Sequence, residues 1–194
     1  MAGVTNILLV GVGGQGTILA SKILCYAALE QGYQVKMSEI HGMAQRGGSV
    51  VTQVRLGDQV FSPVIDPGEA DMIVAFEQLE AYRWTHFLKP GGVLIVNDQK
   101  IVPLPVLIGA AAYPGSVLAD LAQKVSRFVA LPALQLATEA GNSKSTNVVL
   151  MGVLARFMDF PQEVWQQALE EKIPAKLLEV NRRAFEAGYN WQRA

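Results

Sequence analysis

Between Glu39 and Gly48 a carboxylate, an imidazole, an amide and a guanidinium follow in close succession, as Glu39, His41, Gln45 and Arg46, closed by Gly47-Gly48. Ordering a polar segment costs conformational freedom, so such a cluster points to function rather than to decoration. The two glycines let the backbone come close to a ligand, or let the chain enter a strand. Arg46 in that setting is a charged donor for a phosphate or carboxylate, with an interface ion pair as the alternative. His41 and Arg46 are candidate supporting catalytic groups, with a hydrogen-bonded structural histidine as the competing reading for His41.

A second group lies upstream. Gly11, Gly13, Gly14 and Gly16, with Gln15 and Thr17, form a turn between an apolar run at Ile7 to Val10 and an amphipathic segment carrying Ile18, Leu19, Ile23, Tyr26 and Ala27. Strand, glycine turn and helix are the context in which G-x-G-x-x-G carries meaning. Gly13 to Thr17 would present backbone N–H groups at a helix N-terminus to an anion. Glycines needed only to pack helix on strand are the alternative. Glu39 follows the turn by about twenty residues, where a dinucleotide site carries its ribose-binding carboxylate. The loop after Glu39 does not continue that pattern.

The elements that must position these groups read as α/β. Gln34 to Ser38 is a strand with Glu39 at its end. Ser49 to Leu56 alternates as a strand, and Gly57-Asp58 predicts a hairpin turn into Gln59 to Ser62. Met72 to Phe76, Val93 to Val96 and Phe128 to Leu131 are further strands, with helices over 78–87, 116–125 and 132–139. Glu77 at a strand's carboxyl end is either a ligand contact or an acid favoured by a helix N-terminus. Asn142 and Asn147 flank a cap at Ser143, Ser145 or Thr146 and are candidate ligand or subunit contacts. Helices over 148–157, 162–172 and 175–187 close the chain, with Gly188 expected as a C-cap. Leu177, Asn181, Ala184 and Tyr189 share a face expected to dock on a partner, and Phe185, Tyr189 and Trp191 read as packing anchors. The expectation is one three-layer Rossmann-like domain over 1–194, with a mixed, mostly parallel sheet including a β-hairpin and a helical region from about 143.

Composition sets limits. A formal charge of −1 argues against a nucleic-acid protein, and 51% hydrophobic with 17% charged residues suits a large subunit interface or a well-filled core. One cysteine cannot build an iron–sulfur or zinc-ribbon site or an internal disulfide. Cys25 lies mid-helix, where an inert thiol is the default. Pro103, Pro105 and Pro114 interrupt the most apolar late stretch, so no membrane span is expected, and a cytoplasmic location follows. There is no G-x-S-x-G, no metal-ligand spacing and no nucleophile beside a base. The chemistry is incomplete; either a ligand brings the rest, or another polypeptide does.

The stretches Val10-Gly11-Val12-Gly13-Gly14-Gln15-Gly16, Glu39 through Val51, Glu69-Ala70-Asp71 with Phe76-Glu77, Gly141-Asn142 with Asn147 and Gly152, and Asn181 with Ala184-Phe185 and Gly188-Tyr189 resemble the gamma-type subunits of 2-oxoacid:ferredoxin oxidoreductases. Among these, His41-Gly42-Met43-Ala44-Gln45-Arg46-Gly47-Gly48 is most like the beta subunits of the indolepyruvate type. The resemblance implies oxidative decarboxylation of an aryl 2-oxoacid (indolepyruvate, with pyruvate the substrate of the sister type) to its acyl-CoA, with electrons passed to ferredoxin. It places thiamine diphosphate, magnesium and iron–sulfur clusters on a companion subunit and no tightly bound cofactor here. Coenzyme A is a ligand this domain could help bind. A homodimer is open to the isolated chain. The rival readings are a stand-alone NAD(P)-dependent dehydrogenase, a regulatory nucleotide-binding module, and a methyltransferase suggested by Phe87-Leu88-Lys89-Pro90-Gly91-Gly92-Val93-Leu94.

Overall fold

The computed structural model describes residues 3–41 and 47–191. In chain order they form β1 (Thr5–Val12), α1 (Thr17–Glu30), β2 (Gln34–His41), β3 (Ser49–Gly57), β4 (Ala70–Ala75), α2 (Gln78–Trp84), β5 (Leu88–Asn97), α3 (Leu104–Leu107), α4 (Val117–Lys124), β6 (Arg127–Leu131), α5 (Ala133–Glu139), α6 (Thr146–Ala155), α7 (Gln162–Lys172) and α8 (Ala175–Tyr189). Short 3-10 turns at Thr85–Phe87 and Ser143–Ser145 precede β5 and α6.

The strands make one six-stranded sheet in the order β2-β3-β1-β4-β5-β6. β1, β4, β5 and β6 pair in parallel, while β3 pairs antiparallel with both β1 and β2. β3 alone therefore runs against the rest. The sheet is mixed and mostly parallel, as the sequence suggests. Alternation along β1 divides the core: Ile7 and Leu9 join a cluster with α1 and α5–α8, and Leu8 and Val10 join one with α2 and α4. The result is a three-layer α/β domain.

The hairpin is not where sequence placed it. The antiparallel hairpin pairs β2 with β3, and residues 58–69 contain no strand. Both edges of β3 are already taken, so the chain after Gly57 has no ladder to join. Side chains serve its backbone instead. Gln34 Oε1 accepts from Val60 N–H at 3.2 Å and Gln53 Oε1 from Ile65 N–H at 2.6 Å. Arg55 Nη1 donates to the carbonyls of Ser62 and Val64, each at 3.1 Å.

Two further expectations change at the C-terminus. Gly188 lies inside α8, which ends at Tyr189, and is not its C-cap. A Cβ on Gly188 would fall 1.9 Å from the Val149 carbonyl oxygen, and one on Gly152 would fall 2.1 Å from that of Phe185. These glycines let α6 and α8 cross backbone to backbone. Of the face expected to meet a partner, Asn181 and Ala184 are buried in the chain's own core and Tyr189 packs against it, while Leu177 stays exposed. Phe185, Tyr189 and Trp191 are packing residues, as their types suggest.

Candidate functional site at the carboxyl edge of the sheet

β1 feeds α1 on one face of the sheet, and its neighbour β4 feeds α2 on the other. Open α/β sheets bind ligands in the crevice at such a divergence. The glycine turn occupies that position. Gly14 (φ 101°) and Gly16 (φ 81°) adopt left-handed backbone, and Gly16 is the N-cap of α1. Thr17, Ile18 and Leu19 open the helix, where N–H groups have no carbonyl of their own helix to receive them. With the N-terminal end of the helix dipole they make an anion-accepting corner.

The turn is fastened on three sides. Gln15 Oε1 accepts from Val12 N–H at 2.7 Å, and its Nε2 donates to Phe76 O at 2.9 Å, latching the turn to the end of β4. Asn147 Nδ2 donates to Gly16 O at 3.2 Å, joining the turn to the start of α6. Gly13 N–H donates to Gly48 O at 2.9 Å, joining it to the approach of β3.

Two recesses flank the turn. The first, about 340 Å³, has Gly13, Gly14, Gly16 and Thr17 on one side and Glu39 and His41 on the other. β2 extends through His41, beyond the expected end at Ser38, so Glu39 and His41 project from the same side of the strand. Glu39 Oε1 is buried and has no hydrogen-bond partner among the described residues. Thr52, directly across from Glu39 in the β2–β3 register, also has a buried Oγ1 without one. This recess therefore has the α1 N-terminus on one wall and, on the other, the Glu39 side chain, one of whose oxygens is buried and unsatisfied among the described residues. The second recess, about 480 Å³, lies between the turn and the α5–α6 connection, lined by Gln15, Phe76, Gln99, Leu134, Ser143 and Lys144 among others.

Of the residues singled out from sequence, Gly13, Gly14, Gly16, Thr17, Glu39 and His41 gather around the first recess. Gln15 borders the second, although both ends of its amide are spent on the latch. Asn147 is buried as a tie. Gly11 lines neither recess: a Cβ there would lie 2.8 Å from Gln15 Oε1 and 2.9 Å from the Phe76 Cβ, so its smallness admits the latch. Asn142 also lines neither; its Oδ1 accepts from Lys144 N–H at 3.1 Å and caps the 3-10 turn. Gln45 and Arg46 lie outside the described residues. Lys144 and Gln99 were not anticipated. Lys144 stood within the Gly141–Asn147 polar stretch, but only the fold brings it to the glycine turn.

Glu77 resolves toward its structural reading. It is 1% exposed, caps α2 by accepting from the Leu79 and Glu80 N–H groups at 2.6 and 3.1 Å, and holds Ile101 N–H and Tyr113 OH on its other oxygen. Burial and this acidic neighbour push the Tyr113 hydroxyl well above the usual tyrosine range. A larger apolar recess, about 830 Å³, runs along α1 past Cys25, Tyr26 and Met37. Burial, and then the Glu39 charge, push the Cys25 thiol up to about 11, so it stays protonated at neutral pH and is no nucleophile. No cluster of three His, Cys, Asp or Glu able to hold a metal occurs among the described residues, and no helix there is long and apolar enough to cross a membrane.

The family described as pyruvate ferredoxin/flavodoxin oxidoreductase matches residues 6–191. The chain belongs to that family. The indolepyruvate oxidoreductase subunit IorB of Thermococcus kodakarensis is 42% identical over 94% of this chain and 93% of its own length. A crystal structure of the gamma subunit of a keto/oxoacid ferredoxin oxidoreductase from Geobacter sulfurreducens superimposes with a TM-score of 0.75 at 27% identity, covering 97% of this chain and 95% of that one. A 2-oxoglutarate:ferredoxin oxidoreductase from Magnetococcus marinus, solved with 2-oxoglutarate, coenzyme A and succinyl-CoA bound, shares the fold: TM-score 0.70, 20% identity, 96% of this chain and 30% of that one. Within the pyruvate ferredoxin/flavodoxin oxidoreductase family, the chain is a subunit of an oxoacid:ferredoxin oxidoreductase complex. Relatives named as subunits imply oxidoreductase partner subunits for it.

Proposed function

We propose that this subunit serves an indolepyruvate-type complex by binding coenzyme A at the glycine turn, so that an acyl group generated on a companion subunit meets its thiol acceptor. Thiamine diphosphate, magnesium and the iron–sulfur clusters belong to that companion in this reading, and ferredoxin takes the electrons from it. The observation that carries the ligand assignment is the pairing, across one recess, of the α1 N-terminus with Glu39, one of whose carboxylate oxygens is buried without a partner among the described residues. An anion alone would need only the first. A ligand with phosphates and sugar hydroxyls uses both, because a hydroxyl can donate to the carboxylate while a phosphate takes the backbone donors. Lys144 beside the second recess supplies a cation for a further phosphate. The preference for indolepyruvate over other oxoacids rests on the IorB relatives.

The test is calorimetric titration of the assembled complex with coenzyme A, dephospho-coenzyme A and NADH. Coenzyme A is expected to bind tightest. Binding should weaken at least tenfold when Gly14 is replaced by valine, whose side chain would block backbone approach at a left-handed position. Equal binding to the variant, or tighter binding of NADH, would refute the assignment; the second result would favour a dehydrogenase-type site.

A further inference from the structure

We propose that residues 101–113 form the surface on which the cofactor-bearing companion subunit docks, an inference that rests on the reading that another polypeptide completes this site. From Ile101 to Ala119 the sequence contains no charged side chain. Leu104, Leu107 and Ile108 are 68, 69 and 69% exposed, joined by Val102 at 37%. Single exposed leucines are ordinary, but four large apolar side chains within seven residues make a patch. Together they present on the order of 450 Å², about half of the roughly 800 Å² that each partner contributes to a stable interface.

The segment is held in place at both ends. Glu77 Oε1 accepts from Ile101 N–H at 2.9 Å and from Tyr113 OH at 3.0 Å, so one buried carboxylate fixes both. Lys100 Nζ lies 4.0 Å from the centre of the Tyr113 ring. Inside the segment, Pro105 O receives the N–H groups of Ala110 and Ala111 at 2.8 and 3.1 Å. A surface ordered before binding loses less entropy when it is covered.

Its place in the fold names the occupant. The segment starts beyond the carboxyl end of β5, two residues after Gln99, which lines the second recess together with the half-exposed Leu134. A partner seated on the patch reaches the lip of the ligand cleft and gains there the area the patch lacks. A second copy of this chain could cover the same leucines but would bring none of the catalytic groups the chain lacks. The fitting face on the companion is apolar and uncharged, since a charge buried against residues 101–119 would find no counter-ion there.

The experiment co-expresses the chain with its companion and measures association by sedimentation velocity for wild type, the double variant Leu107→Ser/Ile108→Ser, and Phe61→Ser. Phe61 is the control; it is 84% exposed on the connection from β3 to β4, away from the cleft. Association at least a hundredfold weaker in the double variant and unchanged in Phe61→Ser is expected. Wild-type association of the double variant would overturn the proposal. Should the double variant fail to fold alone, hydrogen exchange on the wild type decides, with amides 104–111 protected by the companion if it docks there and unprotected if it does not. A complex that assembles through this segment yet binds no coenzyme A would remove the ligand reading and leave the docking surface standing.

Discussion

Asn147 stands where a side chain on Gly16 would have to go: its Nδ2 donates to Gly16 O at 3.2 Å, and a Cβ on Gly16 would fall 2.7 Å from that same nitrogen. The glycine turn is thus shaped by a residue from the far end of the chain as well as by its own backbone. Gly16→Ala meets two costs, a left-handed backbone at φ 81° and displacement of the amide. The expected loss is on the order of 2–4 kcal/mol, with ligand binding lost as well. Asn147→Ala removes only the tie and should cost about 1–2 kcal/mol. Chemical denaturation of both variants checks the order; a Gly16→Ala protein as stable as wild type would show that the turn tolerates a side chain.

The helix crossing behind the site is less forgiving. Gly188 faces the Val149 carbonyl and Gly152 that of Phe185, and neither neighbour is the end of a flexible side chain. Admitting one methyl group requires α6 and α8 to move apart. Gly188→Ala is expected to cost more than about 3 kcal/mol, well beyond the small gain alanine brings to an exposed helix position. Thermal unfolding distinguishes the two, because a C-capping glycine would show a far smaller loss without any displaced helix.

The same pair marks where sequence reading stopped. Local signals were sufficient for β1, the glycine turn, α1 and α7, whose apolar spacing and flanking Gly or Pro residues lie within the element itself. They failed where the answer depends on a distant partner. β3 lies between β1 and β2 because it returns antiparallel from β2, and no residue of Ser49–Gly57 encodes which strands it will meet. Gly188 reads as a cap until α6 is seen against it. Of the candidate site, the turn and Glu39 with His41 were singled out by residue type and by the spacing from turn to acid, though only the β2-β3-β1 order sets them around one recess. Lys144 and Gln99 were not, since they reach the turn only through the folding of β5, β6 and α5.

Cys25 gives a pH prediction. Burial and the nearby Glu39 disfavour the thiolate, raising the thiol to about 11 in the folded protein. Below the ordinary thiol range both folded and unfolded chains carry the neutral group, and its contribution to stability is fully present. As pH rises from that range toward about 11, the unfolded chain ionises first and this contribution is lost. Iodoacetamide should accordingly label the native protein slowly near neutrality and faster only in strong alkali, whereas urea-unfolded chain reacts earlier. Rapid labelling of native protein at pH 7.5 would mean that Cys25 is more open than its place on α1 indicates.

Glu39 separates binding from stability more cleanly than any other position. Its Oε1 is buried beside Thr52 without a partner among the described residues, a condition that lowers the stability of the unliganded chain. Replacing the carboxylate by an amide keeps size and shape while removing the charge and adding donors. Glu39→Gln should therefore unfold at the same denaturant concentration as wild type or a higher one. The same change turns a charged acceptor for a sugar hydroxyl into a neutral one, and a hydrogen bond to a charged group contributes about 1.5–3 kcal/mol against about 0.5–1.5 kcal/mol for a neutral one, so coenzyme A affinity should fall roughly five- to tenfold. Inorganic phosphate, which needs only the backbone donors of Gly13 to Thr17, should bind the variant no more weakly than wild type. Paired denaturation and titration on the variant read both quantities. A loss of stability with unchanged coenzyme A binding would make Glu39 a structural acid of the β2–β3 hairpin and move the ligand away from this recess.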